Sequence, residues 1–346
     1  MRPEQPDATP AVTIGHGVRL VEVKPDEADT RVDRWFKRLY PGLTHGHLEK
    51  LLRTGQVRVD GGRVKAATRL AAGQTVRVPP MDFISEAPPS YTPAPRAPRQ
   101  SDIDALRACV LYRDQDMIAI NKPPGLAVQG GTNTDKHVDG LLDALRFDAA
   151  ERPRLVHRLD KDTSGVLLLA RNLKAATWLT QAFREKTTRK TYWALTVGVP
   201  KPRQGRIDLA IGKATDGPRD KVVADAEDGK SAVTYYSVVE HAGGKIAWLA
   251  MLPVTGRTHQ LRVHAAEIGT PILGDGKYGG VPEHLPGLDH VRKLHLHAHS
   301  IVVPRPGGGR PVVVTAPLPP HMADTWRFFG FDTETDEDPF AALDLG

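Results

Sequence analysis

RLVHRLDKDTSG (154–165), running straight into the apolar VLLLA (166–170), is the stretch on which the reading of this chain turns. Val166 to Ala170 is a short, unbroken apolar run, the pattern of a strand buried on both faces. The residues before it are small, polar or charged, and Asp, Thr, Ser and Gly are also ordinary turn formers. A polar loop fixed to a buried strand is a common seat for catalytic groups. Its carboxylates, Asp160 and Asp162, are the candidates for chemistry.

Working outward, further strand-like runs cover 117–121, 192–197, 233–239, 247–252 and 294–303. The clearest helix starts at Asn172, a favourable N-cap, and carries Leu173, Ala176, Leu179 and Phe183. Many strands, fewer helices and several hairpin-length gaps predict an α+β domain over 103–325, with a mixed, mostly antiparallel sheet and flanking helices. Residues 81–102 are rich in proline and predict a stiff linker. Before it, 17–80 reads as a compact basic unit. Trp35, Phe36 and Leu39 share one face of a first helix, and Leu48, Leu51 and Leu52 mark a second. QVRVDGGRV (56–64) alternates around Asp-Gly, the signature of a hairpin, and 75–78 adds a strand. Residues 1–16 read as a disordered N-terminus and 326–346 as an acidic, solvated tail.

Net charge is +6 over 346 residues. The last 16 residues hold six acids and no Lys or Arg, so the first 330 carry +12. A basic body implies a polyanionic partner, most often nucleic acid. No run is apolar and long enough to span a membrane, and no secretory h-region opens the chain. The single cysteine, Cys109, excludes an internal disulfide and a Cys-based zinc site. It fits a reducing cytoplasm, and its apolar neighbours predict a buried structural thiol.

A second polar constellation, TGRTHQLRVH (255–264), follows the 247–252 strand and could open a helix. Its arginines suit phosphate or a bidentate carboxylate pair, and a solvated basic helix face is the plainer reading. GDGKYG (274–279) fits G-x-G-x-x-G but lacks the strand–turn–helix context of a dinucleotide site. His295, His297 and His299 alternate on one strand face. With no carboxylate beside them they read as strand polar residues near the cleft rather than as a metal site.

Taken together these segments resemble the signature motifs of the RluA-type pseudouridine synthases. HRLDKDTSGVLLLARN is similar to the family's catalytic motif, KTYWALTVG to its second, and TGRTHQLRVHAAEIGTPILGDGKYG to its third. NKPPG (121–125) lies upstream, and LHLHAHSIVVPRP resembles the segment that closes the sheet. Residues 31–78 resemble an S4 (αL-type) RNA-binding domain, and the domain order is similar to the RluC and RluD members. In the S4-like helix THGH (44–47) stands where relatives carry Ser, Lys or Arg, which would weaken phosphate contact there.

The resemblance implies isomerisation of uridine to pseudouridine in 23S ribosomal RNA, possible without metal, redox agent or nucleotide because substrate and product are isomers. It implies Asp160 as nucleophile, Arg262 as its ion-pair partner, and Tyr192 stacked under the target base. Arg158 would fill the gap left by the flipped nucleotide. His157, Thr163, Arg257, His259, Gln260 and Leu261 would line the substrate site, and Arg31, Lys50, Arg53, Arg58 and Arg63 would face RNA in the S4 unit. The expected partner is ribosomal RNA, free or within pre-ribosomal particles, and with no coiled-coil heptads or exposed apolar helix the chain reads as a cytoplasmic monomer. Alternatives are a transfer-RNA synthase, a non-catalytic S4-type assembly factor, and a hydrolase pairing Asp160 with Asp162.

Overall fold

The computed structural model describes residues 17–81, 98–130, 134, 136–214, 221–224, 229–280, 291–333 and 338–341. The chain divides into two compact units, the first ending at Arg96 and the second starting at Ala97. The expected N-terminal disorder and most of the proline-rich linker fall outside the described residues.

In the first unit, β1 (Arg19–Glu22) is followed by helices α1 (Val32–Leu39) and α2 (His45–Arg53), and then by β2 (Arg58–Val59), β3 (Gly62–Arg63) and β4 (Thr75–Val78). The four strands form an antiparallel sheet in the order β1-β4-β2-β3. Asp60 and Gly61 both take positive φ, 48° and 77°, as a two-residue hairpin requires. Trp35 and Phe36 are fully buried, and Trp35 Nε1 donates to Glu27 Oε2 at 2.9 Å. Thr44 caps α2 by accepting the His47 N–H.

The second unit opens with α3 (Gln100–Ala108), β5 (Val110–Arg113), β6 (Met117–Lys122), α4 (Val138–Leu141), β7 (Arg154–Leu155) and β8 (Ser164–Ala170). It continues through α5 (Leu173–Arg184), β9 (Arg189–Val197), β10 (Gln204–Asp208), β11 (Ile211–Lys213), β12 (Val222–Ala224), β13 (Val233–Ala242) and β14 (Ile246–Pro253). Then come α6 (Gln260–Glu267), β15 (Leu296–Val303), β16 (Val312–Thr315) and α7 (Pro320–Phe329). The main sheet runs β10-β13-β14-β9-β15-β8-β6-β5, with β16 on β15 and β7 on β8. β8 against β15 is its parallel pair, and the other described pairings are antiparallel, so the architecture is α+β on a mixed sheet.

β8 explains its own apolar run, because both of its faces are covered. Leu167 and Leu169 pack with Ile118, Ile120 and Leu142 on one side. Val166, Leu168 and Ala170 pack with Ala175 and Leu179 of α5 on the other. Asn172 Oδ1 caps α5 by accepting the Ala175 N–H at 2.7 Å. At the parallel seam Gly165 has φ 109°, and a Cβ there would fall 2.2 Å from the Ala298 carbonyl oxygen. Only glycine lets the loop after Asp160 enter the sheet at this point.

Several expectations change. α3 begins at Gln100, inside the span assigned to the linker. The acidic stretch is not simply a solvated tail. α7 crosses position 326, Trp326 and Phe331 join the core, Phe340 is buried against Ala250 and Leu252, and Asp338 pairs with Arg189 at 2.7 Å. Apolar side chains at 326, 331 and 340 outweigh the acids between them. Cys109 is half-buried at the end of α3 rather than fully enclosed.

Candidate active site

Asp160 projects from the loop before β8 at the meeting of two cavities. One, of about 640 Å³, is lined among others by Arg158, Asp160, Lys190, Tyr192, Arg257 and Arg262. The other, of about 960 Å³, takes in Lys161, Asp162, Lys213, Lys277 and Arg292. Arg158, Leu159, Asp160, Thr258, His259 and Arg262 border both. Basic side chains thus outnumber the two carboxylates, Asp160 and Asp162, the electrostatics expected of a cleft that takes a polyanion.

The loop is held from below. Lys122 is fully buried, and its Nζ donates to the carbonyl oxygens of Pro123 and Leu126 at 2.9 Å and of Lys161 at 3.0 Å. Burial pulls its pKa down to about 8, against the attraction of Asp162 and Asp160. The Gly125 N–H adds a bond to the Lys161 oxygen at 2.9 Å, and the Thr163 N–H bonds the Asp160 oxygen at 3.2 Å. The NKPPG segment is therefore a clasp on the residue after Asp160. Nothing in the motif's own residues announces this role, because the Lys161 carbonyl it holds belongs to another loop.

Tyr192 reaches the first cavity from β9, where it pairs with Ala298 of β15. Burial, and then the nearby Asp160 charge, push its phenol well above the ordinary range, so it stays neutral. Lys190, two residues earlier on the same face of β9, lines the same cavity and is held below its ordinary pKa by burial.

Arg262 is not the direct ion-pair partner expected for Asp160. Its Nε and Nη2 grip Asp275 Oδ2 and Oδ1, each at 2.7 Å. Burial opposes the guanidinium charge, but that fork, with a longer-range contribution from Asp160, holds its pKa above the usual value. Asp275 is buried and also accepts the N–H groups of Lys277 and Tyr278 at 3.0 and 3.2 Å. This is what GDGKYG does: its turn carries the carboxylate that anchors Arg262.

Among the described residues His259 comes nearest to pairing with Asp160, its Nε2 lying 3.9 Å from Oδ2. His259 precedes α6 with φ 55°, a left-handed conformation rare for a non-glycine residue and typical of functional turns. Burial lowers its pKa, opposed by Asp160 and reinforced by Arg262 and Lys277.

Other sequence candidates divide. His157 lines the cavity, but its Nε2 accepts the Leu168 N–H at 2.8 Å, and its ring stacks on Phe183. Burial and the Lys190 charge bring its pKa to about 3, so it is a neutral structural group. The Gln260 amide is spent on protein. Oε1 accepts from Thr255 Oγ1 at 2.7 Å and the Arg257 N–H at 3.0 Å, while Nε2 donates to Val233 and Thr234. Leu261 packs in the core behind the cleft. Thr163 is buried beneath the loop, and Arg257 lies at the rim with Nε on the Ser231 carbonyl. Arg158 is exposed and makes no hydrogen bond or ion pair among the described residues. α6 is buried over Gln260–Ala265, so it is not a solvated basic face.

His297 and His299 of β15, and His295 just before it, line neither cavity, contrary to expectation. His295 bonds Lys293 O and Thr325 Oγ1, each at 2.9 Å. His297 bonds Ser164 Oγ at 2.8 Å and Ala316 O at 3.1 Å, and His299 stacks on Trp193. They belong to the core of the sheet. In the first unit Lys50, Arg53 and Arg63 are exposed, Arg58 bonds the Gly55 and Gly61 carbonyls, and Arg31 pairs with Asp33.

A mixed sheet that delivers a loop carboxylate, a neutral tyrosine and an anchored arginine to one basic cleft defines an enzyme acting on a polyanion. The match to known proteins says which kind. Residues 116–267 fit the model of the RNA pseudouridylate synthase family. A ribosomal large subunit pseudouridine synthase C of Rickettsia prowazekii is 37% identical over 299 residues, covering 84% of this chain and 94% of its own. RNA pseudouridine synthase 4, mitochondrial, of Arabidopsis thaliana is 38% identical over 75% of this chain and 62% of its own. Among solved structures, human RNA pseudouridylate synthase domain containing 4 superposes with a TM-score of 0.57 at 30% identity, covering 66% of this chain and 95% of that one. The chain belongs to the RNA pseudouridylate synthase family and is a pseudouridine synthase.

Proposed function

We propose that the chain converts specific uridines of large-subunit ribosomal RNA to pseudouridine, with the Asp160 carboxylate as nucleophile. The observation that carries this is the place of Asp160 at the junction of two basic cavities, beside Tyr192 and Arg262. The extended similarity to synthases named for the large subunit supports the substrate class. A flipped uridine in the first cavity would present its glycosidic bond to the carboxylate, with Tyr192 against the base. Arg262, fixed by Asp275, brings a guanidinium charge to the same cleft without bonding the carboxylate. Arg158, exposed and unpaired among the described residues, suits the space a flipped nucleotide vacates.

The N-terminal unit acts in this reading as an S4-type RNA-binding module, with Lys50, Arg53 and Arg63 toward RNA. The enzyme works as a cytoplasmic monomer on ribosomal RNA or its precursor particles. Among the described residues no helix is long and apolar enough to cross a membrane.

The decisive experiment maps pseudouridine in the ribosomal RNA of a deletion strain, and after rescue with wild type or Asp160→Asn. Wild type should restore the missing sites and Asp160→Asn none of them. Restoration by Asp160→Asn would remove Asp160 from the chemistry, and an unchanged map in the deletion strain would move the substrate elsewhere.

A further inference from the structure

His259 and Tyr278 are tied together in a way the roles above do not use. The Tyr278 hydroxyl accepts the Val222 N–H at 3.2 Å and lies 2.9 Å from His259 Nδ1. With its acceptor side engaged by that N–H, the phenolic proton is free to point at Nδ1. A neutral imidazole that accepts at Nδ1 carries its proton on Nε2. That is the nitrogen facing Asp160 Oδ2 across 3.9 Å, about 1 Å beyond a hydrogen bond. Tyr278 itself lines neither of these two cavities, and its hydroxyl is engaged by protein groups. Its ring lies 5.1 Å from the Arg262 guanidinium, and its N–H shares Asp275 with that arginine.

We infer that Tyr278 is a positioning residue. Through its hydroxyl it fixes the His259 tautomer whose Nε2–H orients the Asp160 carboxylate, and through its ring it steadies Arg262. The inference rests on the reading of Asp160 as nucleophile. It adds that the carboxylate is aimed by a Tyr–His line running from the backbone of β12, whereas the arginine supplies field and not a direct bond. Charged and titratable groups facing His259 are Asp160, Arg262, Lys277, Asp275 and the phenol itself. Of these only the phenol bonds the ring, so its removal changes the tautomer without changing local charge.

The test compares wild type with Tyr278→Phe, His259→Gln, the double variant and Asp160→Asn, using large-subunit ribosomal RNA from the deletion strain as substrate. Tyr278→Phe keeps the ring over Arg262 and should lower kcat about tenfold, the scale of a misaimed reacting group, while KM stays within about twofold. The double variant should be no slower than His259→Gln alone, because both changes cut one line. In ¹⁵N-resolved NMR of the wild-type enzyme His259 should carry its proton on Nε2, and that preference should be lost in Tyr278→Phe. The hydroxyl favours the neutral ring, so the acidic limb of the kcat profile should move to higher pH in Tyr278→Phe.

Unchanged kcat in Tyr278→Phe, or losses that multiply in the double variant, would overturn the inference. So would an Nδ1-protonated ring in the wild-type enzyme, a readout that stands even if a variant fails to fold. An active Asp160→Asn would instead defeat the nucleophile reading, while the cycle between Tyr278 and His259 still reports whether the line exists.

Discussion

Two regions of the catalytic domain, both rich in ionisable side chains, are built on opposite rules. Behind the cleft, around β15, polar groups are buried and joined to protein partners, His297 to Ser164 and Ala316 and His295 to Lys293 and Thr325, and the same rule holds at the cleft wall for Asp275, buried on Arg262. At the cleft, Arg158 makes no bond among the described residues, Asp160 stands 3.9 Å from the His259 imidazole, and His259 keeps a strained backbone. Buried polar groups are costly to leave unpaired, so the first region is scaffold and its changes should be read in stability. Groups held near a cleft without partners are reserved for a ligand, and their changes should be read in turnover or binding.

The sharpest way to break this contrast is at Asp275. Asp275→Asn removes the charge opposite a buried guanidinium and should cost about 3–5 kcal/mol of stability, as the loss of one partner from a buried ion pair does. Urea unfolding measures it. A loss under about 1 kcal/mol would mean that Arg262 is better compensated by the Asp160 field than its bonded fork suggests.

Acid should separate the two regions next. Burial holds the pKa values of His295 and His297 at about 4, below the 6.5 of an exposed imidazole. Each folded pKa is depressed, so the unfolded chain binds more protons between the two values. Stability is then complete above about pH 6.5, falls as pH drops toward 4, and levels off below. Each histidine accounts for at most about 3 kcal/mol of that fall. His297→Gln, which keeps a donor and an acceptor for Ala316 and Ser164, should flatten the fall between pH 6.5 and 4 in urea titrations. An identical slope would place the proton uptake elsewhere.

The same contrast explains what was legible in the sequence. β8 with its polar approach, the Asn172 cap and the Asp60-Gly61 turn are local patterns, written in neighbouring residues and recovered in place. The gathering of Asp160, Tyr192 and Arg262 at one cleft came from resemblance, since spacing alone says nothing of which loops converge. The Arg262–Asp275 fork stayed hidden because a dinucleotide-like glycine pattern masked an acid whose partner lies 13 residues away across a turn. The β15 histidines misled because alternation tells which residues share a face, not whether that face meets solvent or core. Nor could charge counting reveal that Phe340 folds back against β14 amid acids. Long-range burial decided each of these, and burial is not a local property.

The smallest effect on stability should come from Arg158→Ala, and it sharpens the comparison most cleanly. Arg158 is exposed and bonded to nothing among the described residues, so its loss should leave unfolding free energy within about 0.5 kcal/mol of wild type. A scaffold arginine would not behave so: Arg171, on Asp148 and the Asp114 carbonyl, should lose measurably more when truncated. Removing Arg158 should nevertheless weaken binding of large-subunit ribosomal RNA and reduce the salt dependence of that binding by about one counterion if it meets a phosphate. If it fills the space left by a flipped base instead, affinity should fall with the salt slope unchanged. Filter binding across a salt series distinguishes the two, and a variant that binds and turns over as wild type would mean that the cleft holds this unpaired cation for neither purpose.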